Sequence, residues 1–526
     1  MTEKEYNLLD EKWILAIDEN GIMNSYSLKE IFEKAHTLNR LSGEIPTQDA
    51  AVFRFLLAVL YAVYQHHDEN GAERTMNTED EAFGRWGALW KKGCFDSETI
   101  SAYLESYRDR FYLFHPTRPF YQVPIEKGTE YCATKLNGEL SESSNKPRLF
   151  SSISGDERNR MSFAEAVRWL INLNAFDDTS AKPTVRGGNL PSCGAGWMGK
   201  LGLVMVQGDN LFETLLLNLV LVSEDGEPFP IGIPTWEPEK SKTDERTPIP
   251  MPLSPIEILA LQSRRIHLKK NGDAVEGYYL MGGDIVDKEN AFVEQMTLWR
   301  QDSEGNIVPY RNDPSRSMWR DYQSIMVKNL DSGKNRIPGV VRWIRDLEDR
   351  EMIKMSSVTV SVVGVKFADK DFFIENFTSD SITVNSRLLS NLNESWNVRI
   401  ADAVSLTDRC MSLLWKYVKD ISEVCGCDDN TAKNASSKAK TRAYIEVDRP
   451  FRQWLRSIDP STDDIDNKTN EWSEKVYNIL RAQAKTILEE AGERALTGKD
   501  GDSAFKHFRI FSGKLYKETH RGTDDE

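Results

Sequence analysis

A glycine-rich stretch between Arg186 and Gly202, RGGNLPSCGAGWMGKLG, fits two nucleotide-binding patterns at once. Gly194, Gly196 and Gly199 spell G-x-G-x-x-G, the dinucleotide-binding fingerprint. Gly194, Gly199 and Lys200 spell G-x-x-x-x-G-K, the core of a phosphate-binding P-loop. Both motifs work by placing backbone N–H groups against phosphates at the start of a helix. The flanking residues must therefore form a strand before the loop and a helix after it.

The neighbouring residues do not supply that context. The preceding GGNLPSC is made of loop-forming residues, and the following LGLVMVQG has the pattern of a strand. Leu201 stands where a P-loop needs the hydroxyl of Ser or Thr to hold magnesium. A nucleotide-binding enzyme thus remains only an alternative, and it predicts that Lys200→Ala abolishes nucleotide binding. The five glycines from Gly187 to Gly199 indicate either a backbone that approaches a ligand closely or a plain connector between a helix and a strand.

No other residue pattern indicates catalysis or a metal. His66-His67-Asp68 resembles the core of metal-dependent phosphohydrolases, but no other histidine has a matching ligand spacing. Cys425 and Cys427 form a close pair without a second pair nearby, so a tetrahedral zinc site is not predicted. We expect the six cysteines to be reduced, and we expect no enzyme activity, no metal and no cofactor.

The charge balance restricts the possible partners. The chain of 526 residues has 67 basic and 82 acidic side chains, a net charge of −15, which argues against a protein that coats nucleic acid with a general basic surface. Residues 433–456 hold a local excess of basic side chains, and Arg449, Arg452 and Arg456 there share one helical face. This face either follows a phosphate backbone or is simply solvated.

The longest apolar run, Ala50 to Tyr64, predicts a buried helix. It has 15 residues and contains Arg54, so it is shorter than the ~20 residues that span a bilayer. The N-terminus is acidic and lacks the apolar core of a signal peptide. We therefore expect a cytoplasmic protein that has no contact with a membrane.

The elements needed to position these residues form two regions. A hairpin over 13–26 precedes a helix with a capping box at Ser27 and Glu30, and further helices are predicted near 48–66, 78–91 and 96–112. The segment 113–385 mixes helices, among them one capped by Ser162 and Glu165 and one over 211–222, with strands. The strands are a hairpin around Asn271-Gly272 and VTVSVVGV at 358–365.

After about residue 390 the pattern is helical. Two buried helix faces are predicted from apolar residues at steps of three and four; they are Cys410, Leu414, Tyr417, Ile421 and Val424, and Trp472, Val476, Ile479, Gln483 and Ile487. With helices near 432–457 and 503–518 these make a four-helix bundle. The predicted fold class is α+β, with a large mixed α/β N-terminal domain (1–390) followed by a C-terminal four-helix bundle (391–526).

A series of landmarks in a fixed order resembles the CasA family, the large subunit of the type I-E CRISPR surveillance complex called Cascade. The landmarks are FYLFHPTRPFYQV (111–123), SFAEAVRWL (162–170), GAGWMGKLG followed by GDNLFETLLLNLV, PTW (234–236), MTLWR (296–300) and DPSRSMWR (313–320). The resemblance covers nearly the whole chain. It implies the same fold class as the residue patterns do.

The resemblance also implies a function without catalysis. Members of the family recognise the protospacer-adjacent motif in double-stranded DNA through the minor groove, start strand separation and dock the helicase-nuclease that degrades the target. The implied partners are target DNA, that helicase-nuclease, and the crRNA-containing Cascade subunits, namely the backbone, the small subunit and the subunit that binds the 5′ handle. A purely structural scaffold of a different RNA–protein complex remains a second alternative, and it predicts indifference to the motif.

Four sets of residues correspond to functional elements of the family. The glycine loop that contacts DNA corresponds to Gly187, Gly188, Gly194 and Gly196, and the basic hairpin lysine to Lys288. The loop that meets the guide and nearby DNA begins at Phe150 and includes Arg158 and Arg160. The wedge that splits the first base pair corresponds to Ala368, Asp369 and Lys370, where Lys370 stands in place of the usual glutamine. That departure changes the chemistry of the wedge, since a lysine is less suited than a glutamine to stack under a base pair.

Overall fold

A computed structural model describes residues 4–125, 129–138, 155–179, 193–243, 245–327, 336–368, 373–498 and 502–520. The chain forms two compact units. The first comprises Met1–Arg316, Asn329–Ile344 and Thr359–Ser381, and the second comprises Ser317–Lys328, Arg345–Val358 and Ile382–Glu526. The second unit therefore includes two short segments that precede the boundary predicted near residue 390.

The helices and strands are numbered here in chain order. The helices are α1 (Leu28–Lys34), α2 (Pro46–Tyr64), α3 (Glu79–Lys92), α4 (Ser97–Ser106), α5 (Ala133–Leu136), α6 (Phe163–Phe176), α7 (Leu211–Leu217), α8 (Pro255–Leu259), α9 (Tyr322–Met326), α10 (Gly339–Asp349), α11 (Glu394–Val424), α12 (Asp429–Arg456), α13 (Ile465–Glu490), α14 (Gly492–Thr497) and α15 (Ala504–Thr519). The strands are β1 (Glu5–Asn7), β2 (Ile14–Asp18), β3 (Met23–Tyr26), β4 (Leu38–Leu41), β5 (Tyr112–Phe114), β6 (Thr129–Cys132), β7 (Met161–Ser162), β8 (Leu203–Gln207), β9 (Pro248–Ile249), β10 (Arg264–Asn271), β11 (Ala274–Gly282), β12 (Ile285–Val286), β13 (Trp299–Gln301), β14 (Ile307–Pro309), β15 (Ser357–Phe367) and β16 (Ile374–Asn385). The predicted α+β fold class is confirmed.

Local signals in the sequence produce the elements that they predict. The hairpin β2–β3 turns through Gly21, which has a φ of 80°, and the Asp18 carboxylate accepts hydrogen bonds from the backbone N–H groups of Asn20 and Ile22. The predicted capping boxes at the starts of α1 and α6 are both present. In each of them the helix begins where a serine hydroxyl satisfies an N–H group that has no partner within the helix.

Two predicted helices end earlier than their apolar patterns suggest. The helix predicted over 211–222 ends at Leu217, because the side chain of Asn218 is held by strand β8. Asn218 accepts a hydrogen bond from the Val206 N–H (3.0 Å) and donates one to the Val206 carbonyl (2.6 Å). The helix predicted over 96–112 ends at Ser106 and is followed by a short 3₁₀ turn.

Helix α2 lies in the core of the first unit. By length and composition it is the one described helix that could cross a membrane, but 94% of its apolar stretch is buried within the protein. Its only charged side chain past the first turn, Arg54, is 1% exposed and makes two hydrogen bonds of 2.8 Å with the carboxylate of Glu294. Trp197 donates to the same carboxylate (2.7 Å), as does the Met296 N–H (3.0 Å). This buried cluster joins α2 to the end of the glycine-rich stretch.

Two antiparallel sheets carry the segments of functional interest. Strands β10 and β11 form the predicted hairpin around Asn271-Gly272, and β6 and β7 both pair with β11. Strand β8, which follows the glycine-rich stretch, pairs with β15, and β15 pairs with β16. The glycine-rich stretch and the predicted wedge therefore adjoin neighbouring strands of one sheet.

The second unit contains the predicted bundle of long helices, α11, α12, α13 and α15. The face predicted on α11 is largely correct, because four of its five residues are buried. On α13 the prediction was wrong in part, because Ile479, Gln483 and Ile487 lie at the edge of the buried face. The buried residues there follow steps of four; they are Trp472, Val476, Leu480, Ala484 and Leu488.

Removing the carboxylate of Glu294 should strongly destabilise the first unit. In Glu294→Ala the Arg54 guanidinium stays buried without a counter-charge, a loss of about 3–5 kcal/mol. Burial alone would raise the pKa of Glu294, but Arg54 and the hydrogen bonds outweigh burial and lower it. The contribution of Glu294 is thus complete above its ordinary pKa of 4.5 and is lost as the pH falls from that value through the lowered pKa.

Thermal melting of the two proteins from pH 7 down to about pH 2.5 measures both effects, because the loss occurs below pH 4.5. The variant should melt at a lower temperature than the wild type at pH 7, and its melting temperature should fall less steeply with acid. Glu130→Ala, which removes an exposed partner of Lys269, is the control and should change little. Equal melting temperatures for Glu294→Ala and the wild type at pH 7 would refute the role of this pair.

Candidate nucleic-acid interface

The glycine-rich stretch leads into a strand and not into a helix. Gly187 and Gly188 lie outside the described residues. Residues Trp197–Lys200 form a single 3₁₀ turn, and β8 begins three residues later. This geometry offers no helix N-terminus to a phosphate within 193–207, so neither nucleotide-binding motif has the context it needs.

Two glycines of the stretch are required by the fold. Gly194 has a φ of +71°, a conformation that L side chains rarely adopt. Gly196 is buried: its N–H donates to the Asp177 carbonyl (2.9 Å), and a Cβ there would lie 2.5 Å from the Ala175 carbonyl oxygen. The structure therefore gives Gly196 a packing role at the end of α6, and its contact with DNA stays a prediction.

The stretch is fixed to the rest of the first unit at several points. Besides the bond from Trp197 to Glu294, the Arg264 guanidinium donates to the Gly194 carbonyl (2.7 Å) and pairs with the Asp177 carboxylate. The Nε of Arg311 donates to the Gly199 carbonyl (2.5 Å). The backbone from Gly194 to Lys200 is thereby held in one conformation by the side chains around it.

The base of the predicted wedge contacts this stretch directly. Phe367 is the last residue of β15, and a Cβ on Gly199 would lie 3.1 Å from its ring. The Arg311 guanidinium lies over the same ring, 4.7 Å from its centroid. Ala368 follows, and its N–H donates to the Phe373 carbonyl (2.9 Å), which closes the turn between β15 and β16. Asp369 and Lys370 lie outside the described residues.

Lys288 is exposed and lies close to the same place. The pKa of Lys200 is lowered to about 8 by burial first, then by the positive charges of Arg264 and, more weakly, Lys288. The Cys193 thiol opposes that shift. The Lys200 ammonium lies 5.6 Å from the centre of the Trp197 ring and has no ion pair among the described residues. Lys200 and Lys288 contribute positive charge at this end of the stretch, and Asp287 offsets part of it.

The loop predicted to meet the guide is described in part. Phe150 lies outside the described residues. Arg158 belongs to a 3₁₀ turn, Gly155–Asn159, and its carbonyl accepts a hydrogen bond from the Thr134 hydroxyl (3.2 Å). Arg160 pairs with Asp273 (3.0 Å), and the two side chains are 55% and 92% exposed. An ion pair as open as this is weak, so Arg160 can exchange Asp273 for a phosphate.

The three arginines predicted on one face of α12 differ in their surroundings, and their contact with a phosphate backbone stays a prediction. Arg449 and Arg456 are exposed on α12. Arg452 is half-buried and donates twice to the Asp448 carboxylate (2.8 and 3.1 Å), which also accepts a hydrogen bond from the Trp319 indole (2.9 Å). The side chain of Arg452 is thus committed to the bundle.

Sequence reasoning missed two residues of this interface. The sequence motif presented Lys200 only as a possible P-loop lysine. In the structure its relevant property is its positive charge, which acts together with that of Lys288. Arg311 had no signal in the sequence, because its partners Gly199 and Phe367 are distant in the chain. No group of three or more potential metal ligands occurs in the part of the chain that the structure describes.

Substituting Gly196 should destabilise the protein, because the added methyl group meets backbone atoms that cannot move aside. We expect Gly196→Ala to cost about 1–3 kcal/mol, as overpacking typically does. Gly84→Ala is the matched control: Gly84 lies in α3 with open space around it, so alanine should stabilise the helix by up to about 1 kcal/mol. Thermal melting of both variants tests this, and a Gly196→Ala protein as stable as the wild type would contradict it.

Comparisons with known proteins agree with this architecture. Residues 7–483 match the model of the family described as CRISPR-associated protein Cse1. The chain is 30% identical over 375 residues to the CRISPR-associated protein CasA/Cse1 of Thermus thermophilus, a match that covers 69% of this chain and 68% of that protein.

Solved structures are similar over nearly the whole length. The crystal structure of Thermobifida fusca Cse1 has a TM-score of 0.84 and 26% identity, with 98% of both chains covered. A chain of a structure described as a CRISPR RNA-guided surveillance complex has a TM-score of 0.73 and 16% identity, with 98% of this chain and 100% of that one covered. The resemblance found in the sequence is confirmed: the chain belongs to the CasA/Cse1 family of CRISPR-associated proteins.

Proposed function

We propose that this protein is the non-catalytic large subunit of a type I-E CRISPR RNA-guided surveillance complex in the cytoplasm. In that complex it reads the protospacer-adjacent motif of double-stranded DNA from the minor groove, starts strand separation and docks the helicase-nuclease. Its partners are the crRNA-containing backbone, small and 5′-handle-binding subunits. The similarity to a chain of a surveillance complex supports the assembly part of this proposal.

The observation that carries the DNA-binding part is the contact between Gly199 and Phe367. It joins the end of the glycine-rich stretch to the base of the predicted wedge, and Arg311 hydrogen bonds to one and stacks on the other. Lys288 lies close enough to influence Lys200 at the same end. Motif reading and strand separation must act on adjacent base pairs, so the elements for both need to lie side by side.

The charge distribution is consistent with a contact that is local. A chain with a net charge of −15 repels DNA at long range, so binding depends on a few cations at the contact and on the guide RNA for affinity. The minor groove is narrow and its pattern of donors and acceptors is degenerate. A glycine backbone can approach its floor closely, and a lysine beside it can supply the charge.

The wedge of this protein differs from that of its relatives in chemistry. Lys370, which stands in place of the glutamine, is flanked by Asp369 and Asp371. The base of the wedge is fixed by the Ala368–Phe373 hydrogen bond and by the packing of Phe367. We propose that Lys370 enters the duplex and pairs with a phosphate. The rigid protein segment at the base of the wedge then holds Lys370 against the first base pair.

Motif preference should depend on Lys288. The assembled complex is compared by gel shift on duplexes that differ only in the two or three base pairs beside the protospacer. Lys288→Ala should weaken binding to the preferred motif by about tenfold, because a contact in the groove contributes about 1–3 kcal/mol. Lys91→Ala, an exposed lysine at the end of α3, is the control and should bind as the wild type does. Motif preference that is unchanged in Lys288→Ala would exclude this lysine from the readout.

The salt dependence of target binding should show which arginines of the bundle contact phosphate. Arg449→Glu and Arg456→Glu should each make binding less sensitive to salt, with a slope smaller by about one for each phosphate that is no longer neutralised. Arg452→Gln should leave the slope unchanged, since its guanidinium is paired with Asp448. Slopes measured by fluorescence anisotropy that do not change in either glutamate variant would show that α12 presents only a solvated face.

A further inference from the structure

A cavity of about 330 Å³ lies in the first unit, and none of the residues assigned to DNA above lines it. Phe120, Tyr121 and Trp236 form part of its wall, and prolines from several segments line it as well. Ile233 lies at its mouth and is 58% exposed, so the cavity opens to solvent. Its volume is at the lower end of the range for small-molecule sites.

Arg110 lines this cavity with a guanidinium that no carboxylate of the described residues neutralises. The residue is 9% exposed. Its Nη2 donates a long hydrogen bond to the Thr235 carbonyl (3.3 Å), and its Nη1 is buried without a hydrogen-bond partner in the described part of the chain. Burial lowers the pKa of Arg110, and the nearby positive charge of Arg118 lowers it further.

Several other buried arginines of the first unit are paired with a carboxylate, whereas Arg85 donates to the backbone carbonyls of Tyr64 and Arg74. Arg54 is paired with Glu294, Arg264 with Asp177, and Arg265 with Asp284. A buried charge without a partner costs several kcal/mol, so proteins rarely keep one without a use. Arg110 is therefore a site where a negative charge from outside the chain would be strongly stabilised.

Two of the three acidic residues that line the cavity are paired with basic side chains. Asp284 is bound to Arg265, and Glu245 is paired with Lys242 (3.1 Å). Glu257 also lines the cavity and adds a negative charge to it. Lys240 adds a further positive charge to the lining.

We propose that this cavity binds a compact organic anion, a flat ring that carries one carboxylate or phosphate group, with Arg110 as its counter-charge. The guanidinium is planar and its N–H donors suit either anion. Because Nη1 is enclosed, a bidentate contact requires the guanidinium to turn toward the cavity. The aromatic and proline walls suit a flat apolar ring. A molecule of the size of a nucleoside monophosphate or of benzoate fits the volume.

Thermal shift and calorimetric titration of the full-length protein test the site with three probes: AMP, benzoate and neutral adenosine, at matched ionic strength. An anion-specific rise in melting temperature with AMP or benzoate, and none with adenosine, is expected. AMP active alone identifies a phosphate ligand, and benzoate active alone identifies a carboxylate ligand. No shift with either anion at millimolar concentration would overturn the proposal.

Variants then assign the effect to this cavity. Arg110→Met should weaken binding by at least about tenfold, because charge-assisted hydrogen bonds are removed, without lowering the melting temperature of the unliganded protein. Arg74→Met, an exposed arginine outside the cavity, is the control and should bind as the wild type does. Equal binding by wild type and Arg110→Met would place the anion elsewhere.

A second pair of variants does not touch the buried charge. Ile233→Glu places a negative charge at the mouth and should weaken binding of the anion, whereas Ile233→Gln, of the same size, should not. The side chain is largely exposed, so neither change should affect folding. Equal affinities of these two variants would also refute the assignment.

Discussion

The buried ion pair between Arg54 and Glu294 is the constraint around which the first unit is arranged. Arg54 projects from the most apolar helix of the chain, so its charge needs a partner in the interior. The Glu294 carboxylate provides that partner and at the same time accepts the indole N–H of Trp197. One buried charge thus fixes the position of the C-terminal part of the glycine-rich stretch. Arg264 and Arg311 fix the same stretch further, because each donates a hydrogen bond to a glycine carbonyl in it.

This arrangement is compatible with the proposed contact between an acidic protein and DNA. The cations near Gly199 are few, and each is held by the fold or lies beside another positive group. Carboxylates that would neutralise them are used in buried pairs instead, as Asp177 is by Arg264. The net charge of the chain therefore says little about the local field, which depends on which acids are committed to the interior. Arg110, which has no carboxylate partner among the described residues, is a second place where a local positive charge is not neutralised.

Much of the fold could be predicted because its signals are local. The capping boxes at Ser27 and Ser162, the Asn271-Gly272 hairpin and the long C-terminal helices each depend on residues a few positions apart. The exceptions depend on distant partners. Helix α7 ends early because Asn218 binds Val206, and the buried face of α13 is set by the helices that pack on it. The candidate site was predicted by resemblance to a family, whereas the contacts of Gly199 with Phe367 and Arg311 join positions that no sequence pattern relates.

Helix α6 connects two segments of the candidate interface, the one that contains Arg158 and Arg160 and the glycine-rich stretch. Its first turn follows Arg160 and the 3₁₀ turn that contains Arg158, and its last turn packs against Gly196. A helix of 14 residues is about 21 Å long and does not bend easily. Under the proposed function, this helix fixes the distance between the segment that would meet the guide and the segment that would meet the motif. Inserting or deleting a residue in it would rotate one end against the other by about 100°, so both the spacing and the relative orientation of these two segments depend on its length.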